Sequence, residues 1–262
     1  MKLDRKQIKQ EALGINKKAH VSAIGFTLLF LVITFVLEGL RAWVGGGNTE
    51  QLAEFSNEFG LSFSVSSFTP DLPPLVVTFV TVVAGLLVSI IGAGYVLYIL
   101  GIRRGEHMSL STLFDGFAFA GKIILLDIVM SIFVFLWSLL FVIPGIIAGY
   151  RYAFALYNLC ENPDIGVMEA INLSKEQTKG YKWDLFVLDL SFIGWSILSV
   201  LTVGILDIWL APYKEQSRVG YFQKIKALKH IGYFPPSGND GQFYVDERFD
   251  APDDHNPYNP EL

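Results

Sequence analysis

Four long uncharged stretches constrain this chain more than any other feature of its sequence. No Asp, Glu, Lys or Arg occurs within residues 19–37, 72–102, 128–150 or 190–206. A helix needs about 20 apolar residues to cross the hydrocarbon core of a bilayer. Charged residues make up 17% of the 262 residues, whereas a typical soluble domain carries about 25%. The sequence therefore predicts an all-α, polytopic bundle of membrane helices.

The uncharged stretches and the breaks within them predict six transmembrane helices. Their expected bounds are about residues 20–40, 74–100, 121–142, 146–160, 183–203 and 204–222. A basic leader over residues 1–19 precedes the bundle. A basic helix continues the sixth span to about residue 230, and an acidic tail over residues 231–262 follows it.

The two ends of the chain carry opposite charge. In the leader, Leu3, Ile8, Ala12 and Ile15 recur at roughly helical spacing among lysines and arginines. This pattern fits a basic amphipathic helix on the membrane face, or a solvated leader that only sets orientation. The tail has seven acidic residues and one arginine, so we predict a disordered segment, with a short aromatic docking peptide as the alternative. Because the net charge of −5 comes from this tail, the composition gives no reason to expect nucleic-acid binding.

The Pro144-Gly145 pair interrupts an apolar run and decides the predicted topology. Proline lacks an N–H and clashes with the preceding turn, so it either kinks one long helix or turns the chain between two. A turn places 17 of the 20 Lys and Arg residues on the side of the N-terminus, whereas a kink sends eight of them across. The preference of Lys and Arg for cytoplasmic loops favours the turn. We therefore expect both termini in the cytoplasm and the loop over residues 41–73 outside.

Small residues mark the expected helix contacts. Gly85, Ser89 and Ala93 recur every four residues in the second span, and Gly145 and Gly149 form a G-x-x-x-G pair beside the predicted turn. Small side chains allow helix backbones to approach closely within lipid. We assign helix-turn or packing roles to these five residues and also to Pro144, Gly194 and Gly204.

Four charged residues stand out among those inside the predicted spans: Asp127, Arg151, Asp189 and Asp207. Such a charge costs roughly 2.5–3.5 kcal/mol on insertion scales, and it normally finds a partner or faces water. One interpretation is structural, with Arg151 in an internal ion pair with Asp189 or Asp127. The other is functional, with these groups lining a polar cavity for an ion, a proton or a lipid head group.

The sequence carries no pattern typical of an enzyme. Cys160 is the only cysteine, so no intrachain disulfide can form, and the four histidines are scattered along the chain. The motifs HExxH, GxSxG and GxGxxG and the P-loop do not occur. We expect neither an enzyme nor a bound cofactor or metal.

Several motifs resemble those of a known family. They are IPGI, GYRYAFALYNLCENPDIGVMEAINLSKEQTKGYKW, LFVLDLSFIGW and WLAPY. The chain resembles an uncharacterised family of integral membrane proteins from Gram-positive bacteria, the domain of unknown function numbered nine hundred and seventy-five. The resemblance covers about residues 1–225 and is most specific over Ile143–Tyr213. It implies a bacterial plasma-membrane location and about six helices, and it implies no established activity.

The sequence leaves two functional hypotheses from different classes. The first is a non-enzymatic scaffold or accessory component of the membrane, whose basic cytoplasmic face touches anionic lipid, a membrane-protein partner or a second copy. The alternative is a small transporter or channel-like protein that uses the Asp and Arg residues within the spans. A cavity that reaches those acidic residues favours the alternative, and a dry bundle packed on small residues favours the scaffold.

Overall fold

The computed structural model describes residues 3–19, 23–45, 72–202 and 204–232. These residues belong to one compact unit, Met1–Gly232. Most of the loop over residues 41–73, and all of the predicted tail beyond residue 232, lie outside the described residues.

Regular structure in the described residues is entirely helical, as the sequence predicts. The elements in chain order are α1 Arg5–Lys18, α2 Ala23–Val44, α3 Pro74–Arg103, a 3-10 helix Leu110–Phe119, α4 Ala120–Leu140, α5 Val142–Arg151, α6 Ala155–Glu161, α7 Val167–Thr178, α8 Lys182–Leu190, α9 Ile193–Leu201 and α10 Asp207–Lys229.

Three helical stretches are long and apolar enough to cross a membrane. They are Ala23–Val44, Pro74–Arg103 and Leu110–Leu139, with mean hydropathies of 2.3, 2.6 and 2.3. Their large apolar side chains point outward, and Phe35 and Leu75 are 79% and 82% exposed. Soluble monomers rarely expose apolar surface on this scale, so the fold is that of a membrane protein.

The third of these stretches begins earlier than the sequence predicts. The 3-10 helix occupies part of the expected polar link before residue 121 and lies against α3. Two glycines explain this contact, because a Cβ on Gly94 would collide with the Leu113 backbone and one on Gly116 with the Ile90 carbonyl. The backbones approach so closely because neither glycine carries a side chain.

The turn between α4 and α5 lies just before the predicted Pro144-Gly145 turn. Phe141 is extended, with φ −163° and ψ 154°, and α5 already begins at the next residue. Pro144 therefore sits in the first turn of α5, where backbone N–H groups have no intrahelical partner and proline is tolerated. Gly145 then packs against Ser138 of α4, so the two helices form a tight antiparallel hairpin.

The segments after this turn are broken helices. The α5–α6 pair is interrupted between Arg151 and Ala155, and the α8–α9 pair between Leu190 and Ile193. Each pair covers 20 residues, or roughly 30 Å at 1.5 Å per residue, which matches the hydrocarbon core of a bilayer. These pairs and the first part of α10 correspond to the last three predicted spans, and the count of six remains a prediction.

Ring and polar contacts give the relative direction of the helices around α3. Phe26 stacks on Tyr98 at 3.7 Å between ring centroids, and Phe30 stacks on Tyr95 at 4.6 Å, so α2 and α3 are antiparallel. The Gln216 amide donates to the Ile99 carbonyl at 3.1 Å. Arg103, about one turn beyond Ile99, donates at 2.8 Å to Gln223, which is about two turns beyond Gln216. Contacts thus advance in the same direction along both helices, so α3 and α10 are parallel.

The basic leader forms α1, which is part of the core. Ile8 and Ala12 are fully buried on the face that packs against α10. The Glu11 carboxylate lies 3.4 Å from Arg103 of α3 and 3.0 Å from Lys224 of α10. One face of the leader therefore rests on protein. Among its described residues, the exposed bases are Arg5, Lys6, Lys17 and Lys18.

Candidate functional site

An ion pair between α8 and α10 is the centre of the site. Arg218 donates from Nε and Nη2 to Asp189 Oδ1 at 3.0 and 2.8 Å, and from Nη2 to Oδ2 at 2.8 Å. Both side chains are half-buried, at 38% and 21% exposure. A forked contact of this kind fixes the relative orientation of the two side chains in addition to pairing their charges.

Two tyrosines extend the ion pair into a polar cluster. The Tyr150 hydroxyl, on α5, donates to Asp189 Oδ2 at 3.0 Å. The Tyr157 hydroxyl, on α6, donates to Glu215 Oε1 at 2.7 Å. Four helices therefore contribute to one polar cluster, which consists of Tyr150, Tyr157, Asp189, Glu215 and Arg218.

The break between α5 and α6 is stabilised by α7. Ser174 and Thr178 of α7 donate to the Arg151 carbonyl at 3.0 and 3.2 Å. The Phe154 N–H donates to the Ser174 hydroxyl at 3.1 Å. Side chains thus satisfy backbone groups that the helix interruption frees, which is the condition for irregular backbone at membrane depth. The polar segment over residues 162–182 therefore has a buried face on the bundle.

Two half-open hollows meet at the polar cluster. They have volumes of about 330 and 320 Å³ and share Gly149, Ala153, Tyr157 and Arg218 in their walls. Asp189 lines the first hollow and Glu215 the second. The two hollows thus reach both acidic residues, and most of the other residues that line them are apolar.

The four charges singled out in the sequence occupy four different places. Asp189 belongs to the polar cluster, but its partner is Arg218 and not Arg151. Arg151 is half-buried at the end of α5, and the hydrogen bonds described there involve its carbonyl. Asp127 accepts a hydrogen bond from Ser89 of α3. Asp207 is half-buried in the first turn of α10, remote in the chain from the other three.

Only some of the predicted small-residue positions make close contacts between helices. A Cβ on Gly145 would collide with Ser138, whereas one on Gly85, Gly149 or Gly194 would meet nothing within 4 Å. The close pairing of α4 and α5 therefore involves Gly145 alone of the G-x-x-x-G pair. The other members lie as follows: Ala93 is fully buried, Ser89 bonds Asp127, Gly204 has a positive φ of 81° in the turn before α10, and Pro144 is in the first turn of α5.

A second polar cluster is buried beside the first. Lys226 donates to Glu161 at 2.5 Å, and the two side chains are only 2% and 3% exposed. Burial lowers the pKa of Lys226 and raises the pKa of Glu161, because each group loses water and the facing charge offsets only part of that loss. The Asn158 and Gln177 amides bond each other in both directions at 2.8 and 2.9 Å. These contacts lock α6, α7 and α10 together.

Sequence reasoning missed the roles of Arg218, Glu215 and the two tyrosines. It counted Arg218 among the cytoplasmic bases, although the residue falls within the predicted sixth span. One signal was present: Glu215 and Arg218 are three residues apart and therefore share a helix face. Arg218 and Asp189 are 29 residues apart in the chain. No local sequence pattern therefore indicates that they pair.

The part of the chain that the structure describes has no group of three or more His, Cys, Asp or Glu side chains arranged to hold a metal ion. The titratable groups of the site are one guanidinium, two carboxylates and two phenols. Such a set offers hydrogen bonds and charges of both signs to a ligand.

The fold and the site define a helical membrane protein with a polar cleft beside two broken helices. Residues 139–229, which hold all five residues of the polar cluster, match the family described as "Protein of unknown function (DUF975)". This match confirms the resemblance over residues 139–229, the segment that holds the most specific motifs, and its extension toward residue 1 stays a prediction. No curated protein and no solved structure matches the chain.

Proposed function

We propose that the protein is a multi-pass component of the plasma membrane, with six spans and both termini in the cytoplasm. In this proposal it acts without enzymatic chemistry, as a scaffold or accessory subunit. Its basic cytoplasmic face contacts anionic lipid, a membrane-protein partner or a second copy. The observation that carries the proposal is the collection of basic segments at one end of the helix bundle.

Two groups of contacts support that placement. Glu11 joins the basic leader to the carboxyl ends of α3 and α10 through Arg103 and Lys224. Lys229 donates to the Glu176 and Lys179 carbonyls at 2.6 Å each, which ties the end of α10 to the end of α7. Clustered Lys and Arg on one side are typical of a cytoplasmic face, where they meet anionic lipid.

The helix directions support the same topology. In the proposed topology, successive spans from α2 to α10 cross the membrane in opposite directions. α3 and α10 then run in the same direction, in agreement with their parallel contacts. Antiparallel contacts of α2 with α3, and of α4 with α5, fit the same alternation. An even number of crossings then leaves both ends of the chain on one side.

Cysteine labelling tests the topology. Cys160 is buried, so the Cys160→Ala protein provides a background without a native thiol. In that background, a membrane-impermeant maleimide added to intact cells should label Ser56→Cys, in the loop over residues 41–73. It should label Lys179→Cys, which lies at the exposed end of α7, only after permeabilisation. Labelling of Lys179→Cys in intact cells would overturn the topology.

Affinity capture in mild detergent tests the scaffold role. We expect a stoichiometric membrane-protein partner or a second copy, held together with anionic lipid. Neutralising the exposed bases Lys17 and Lys18 with glutamine should reduce the anionic lipid recovered. A purified monomer that retains neither partner nor anionic lipid would argue against this role.

Transport is the second candidate, and the cleft favours it. Broken helices beside a polar cavity are typical of secondary transporters, and both breaks lie close to Asp189. In proteoliposomes with an imposed potassium potential, a pH-sensitive dye would report proton flux that Asp189→Asn abolishes and Asp164→Asn, at an exposed position, preserves. Equal dye responses from loaded and protein-free liposomes would rule out proton movement through the cleft.

A further inference from the structure

The two hollows around Arg218 have the dimensions of a ligand site. Their volumes of about 330 and 320 Å³ fall at the lower end of the range of roughly 300–1,000 Å³ typical of small-molecule pockets. They adjoin at Gly149, Ala153, Tyr157 and Arg218 and are open to the surface. A ligand with two parts can therefore occupy both.

Two polar atoms of the cleft, one donor and one acceptor, make no hydrogen bond of their own among the described residues. Asp189 engages Nε and Nη2 of Arg218, which leaves Nη1 to donate elsewhere. Tyr157 engages Oε1 of Glu215, which leaves Oε2 to accept. The cleft therefore offers one guanidinium N–H donor and one carboxylate acceptor at the same time.

The chemistry of these groups selects the kind of headgroup. Glu215 and Arg218 lie three residues apart on α10, so their side chains are neighbours on one helix face. Because Asp189 neutralises Arg218, the unbalanced charge of the cleft is that of Glu215, which favours a ligand with a cationic group. Nη1 of Arg218 remains a donor for an oxygen acceptor on the same ligand. A headgroup that joins a phosphate to a primary ammonium through two carbons satisfies both.

The rest of the cleft is apolar and borders membrane helices. Val96 of α3 and Met130 and Val134 of α4 line the second hollow together with Leu156. Ile146, which is 51% exposed, lines the first hollow. An acyl chain lying on this wall stays in contact with the apolar surface that faces lipid.

We propose that this cleft binds one molecule of a phospholipid with a zwitterionic, primary-amine headgroup, namely a phosphatidylethanolamine. Its phosphate accepts from Arg218 Nη1, its ammonium donates to Glu215 Oε2, and an acyl chain packs on α3 and α4. This site is separate from the basic face of the proposed function, and it is compatible with either candidate role.

Native mass spectrometry of the delipidated full-length chain tests the proposal. The protein is titrated with phosphatidylethanolamine, phosphatidylcholine and phosphatidylglycerol of identical acyl chains. We expect one bound phosphatidylethanolamine at concentrations about tenfold lower than for the other two, the ratio that corresponds to about 1.4 kcal/mol. Phosphatidylcholine is the critical comparison because its quaternary ammonium cannot donate a hydrogen bond.

Two variants connect binding to the cleft. Glu215→Gln keeps the acceptor for Tyr157 but removes the charge, and it should weaken phosphatidylethanolamine binding about tenfold. Ala153→Leu, at an exposed position that lines both hollows, should weaken it by obstruction. Glu169→Gln, at an exposed position on α7, is the matched control and should bind as the unmodified protein does.

The possible outcomes separate this proposal from the scaffold role. Thermal unfolding shows whether each variant is folded, and Ala153→Leu decides the matter if Glu215→Gln is unstable. Equal binding of phosphatidylethanolamine and phosphatidylcholine, or undiminished binding by both folded variants, overturns the headgroup assignment. Preference for phosphatidylglycerol with no effect of either variant also overturns it, while leaving the basic face of the scaffold proposal intact.

Discussion

At the scale of single residues, the partner of Asp189 defines the site. Arg151 and Arg218 are both arginines near the predicted spans, and only Arg218 meets the Asp189 carboxylate. An aspartate at this position is tolerated because a guanidinium and a phenol both donate to it. Removing that acceptor leaves Arg218 with unused donors in a half-buried place, which is unfavourable.

A double-mutant cycle should therefore distinguish the two arginines. We expect Asp189→Asn and Arg218→Gln to be coupled by about 1 kcal/mol or more, because hydrogen bonds to charged groups contribute roughly 1.5–3 kcal/mol and partial exposure weakens this pair. Asp189→Asn and Arg151→Leu should be additive within about 0.5 kcal/mol. Denaturant unfolding in detergent measures both. Coupling of Asp189 to Arg151 instead would contradict the structure.

The buried Lys226–Glu161 pair should be sensitive to the loss of one partner. Lys226→Met leaves a buried carboxylate without its cation and should cost about 3–5 kcal/mol of unfolding free energy. The double variant with Glu161→Leu should recover most of this loss. Lys224→Met, which breaks a half-exposed pair with Glu11, is the control and should cost less than about 1 kcal/mol.

The same variant should depend on pH in a defined direction. Burial raises the pKa of Glu161 in the folded protein, and the loss of Lys226 removes a charge that opposes this rise. A raised folded-state pKa favours the folded state below the unfolded value of about 4.3, and that contribution disappears as pH rises through the folded-state pKa. Unfolding midpoints of Lys226→Met should therefore fall, relative to the unmodified protein, between pH 4 and pH 8. A constant difference across this range would contradict the assignment.

At the scale of helices, glycine positions control how α3 meets the 3-10 helix. Gly94→Ala should destabilise the protein, because its new methyl group collides with the Leu113 backbone, which cannot move aside as a flexible side chain would. Gly92→Ala, two residues away with nothing within 4 Å, should be neutral or stabilising by up to about 1 kcal/mol through helix propensity. Thermal unfolding of the two purified variants measures the difference. Equal midpoints would show that the 3-10 helix is not held at Gly94.

The helix breaks depend on contacts from outside the broken segments. The α5–α6 interruption is satisfied by Ser174 and Thr178 of α7. The α8–α9 interruption lies beside α1, because Lys9 donates to the Ser191 hydroxyl at 2.7 Å and sits over the Phe192 ring at 3.9 Å. Helix propensity within residues 142–161 or 182–201 therefore does not account for these breaks.

At the scale of the whole molecule, the apolar surface on the outside of the helices indicates that lipid surrounds them. Three helical stretches with mean hydropathies of 2.3 or more turn their large side chains outward. We expect the protein to stay in the membrane pellet after alkaline carbonate extraction and to enter solution only with detergent. Release by carbonate alone would contradict a membrane-spanning bundle.

The sequence by itself determined the class of the protein. Uncharged runs, their lengths and the placement of Lys and Arg predict a helical membrane protein and a topology, because hydrophobicity and helical period are local properties. The Phe141 turn was located to within a few residues, since a proline beside a glycine marks a break. The motifs also predicted the family whose model matches residues 139–229, because such a resemblance needs only the order of residues.

Tertiary structure alone decided which polar groups meet. Asp189 pairs with Arg218, Tyr157 with Glu215 and Lys226 with Glu161, across separations of 29, 58 and 65 residues. Such pairs depend on the depth and crossing of helices, which are set by contacts such as that of Gly94 with Leu113. A local sequence pattern indicates that a charged residue within the membrane needs a partner. Which residue becomes that partner depends on the packing of helices that are distant in the chain.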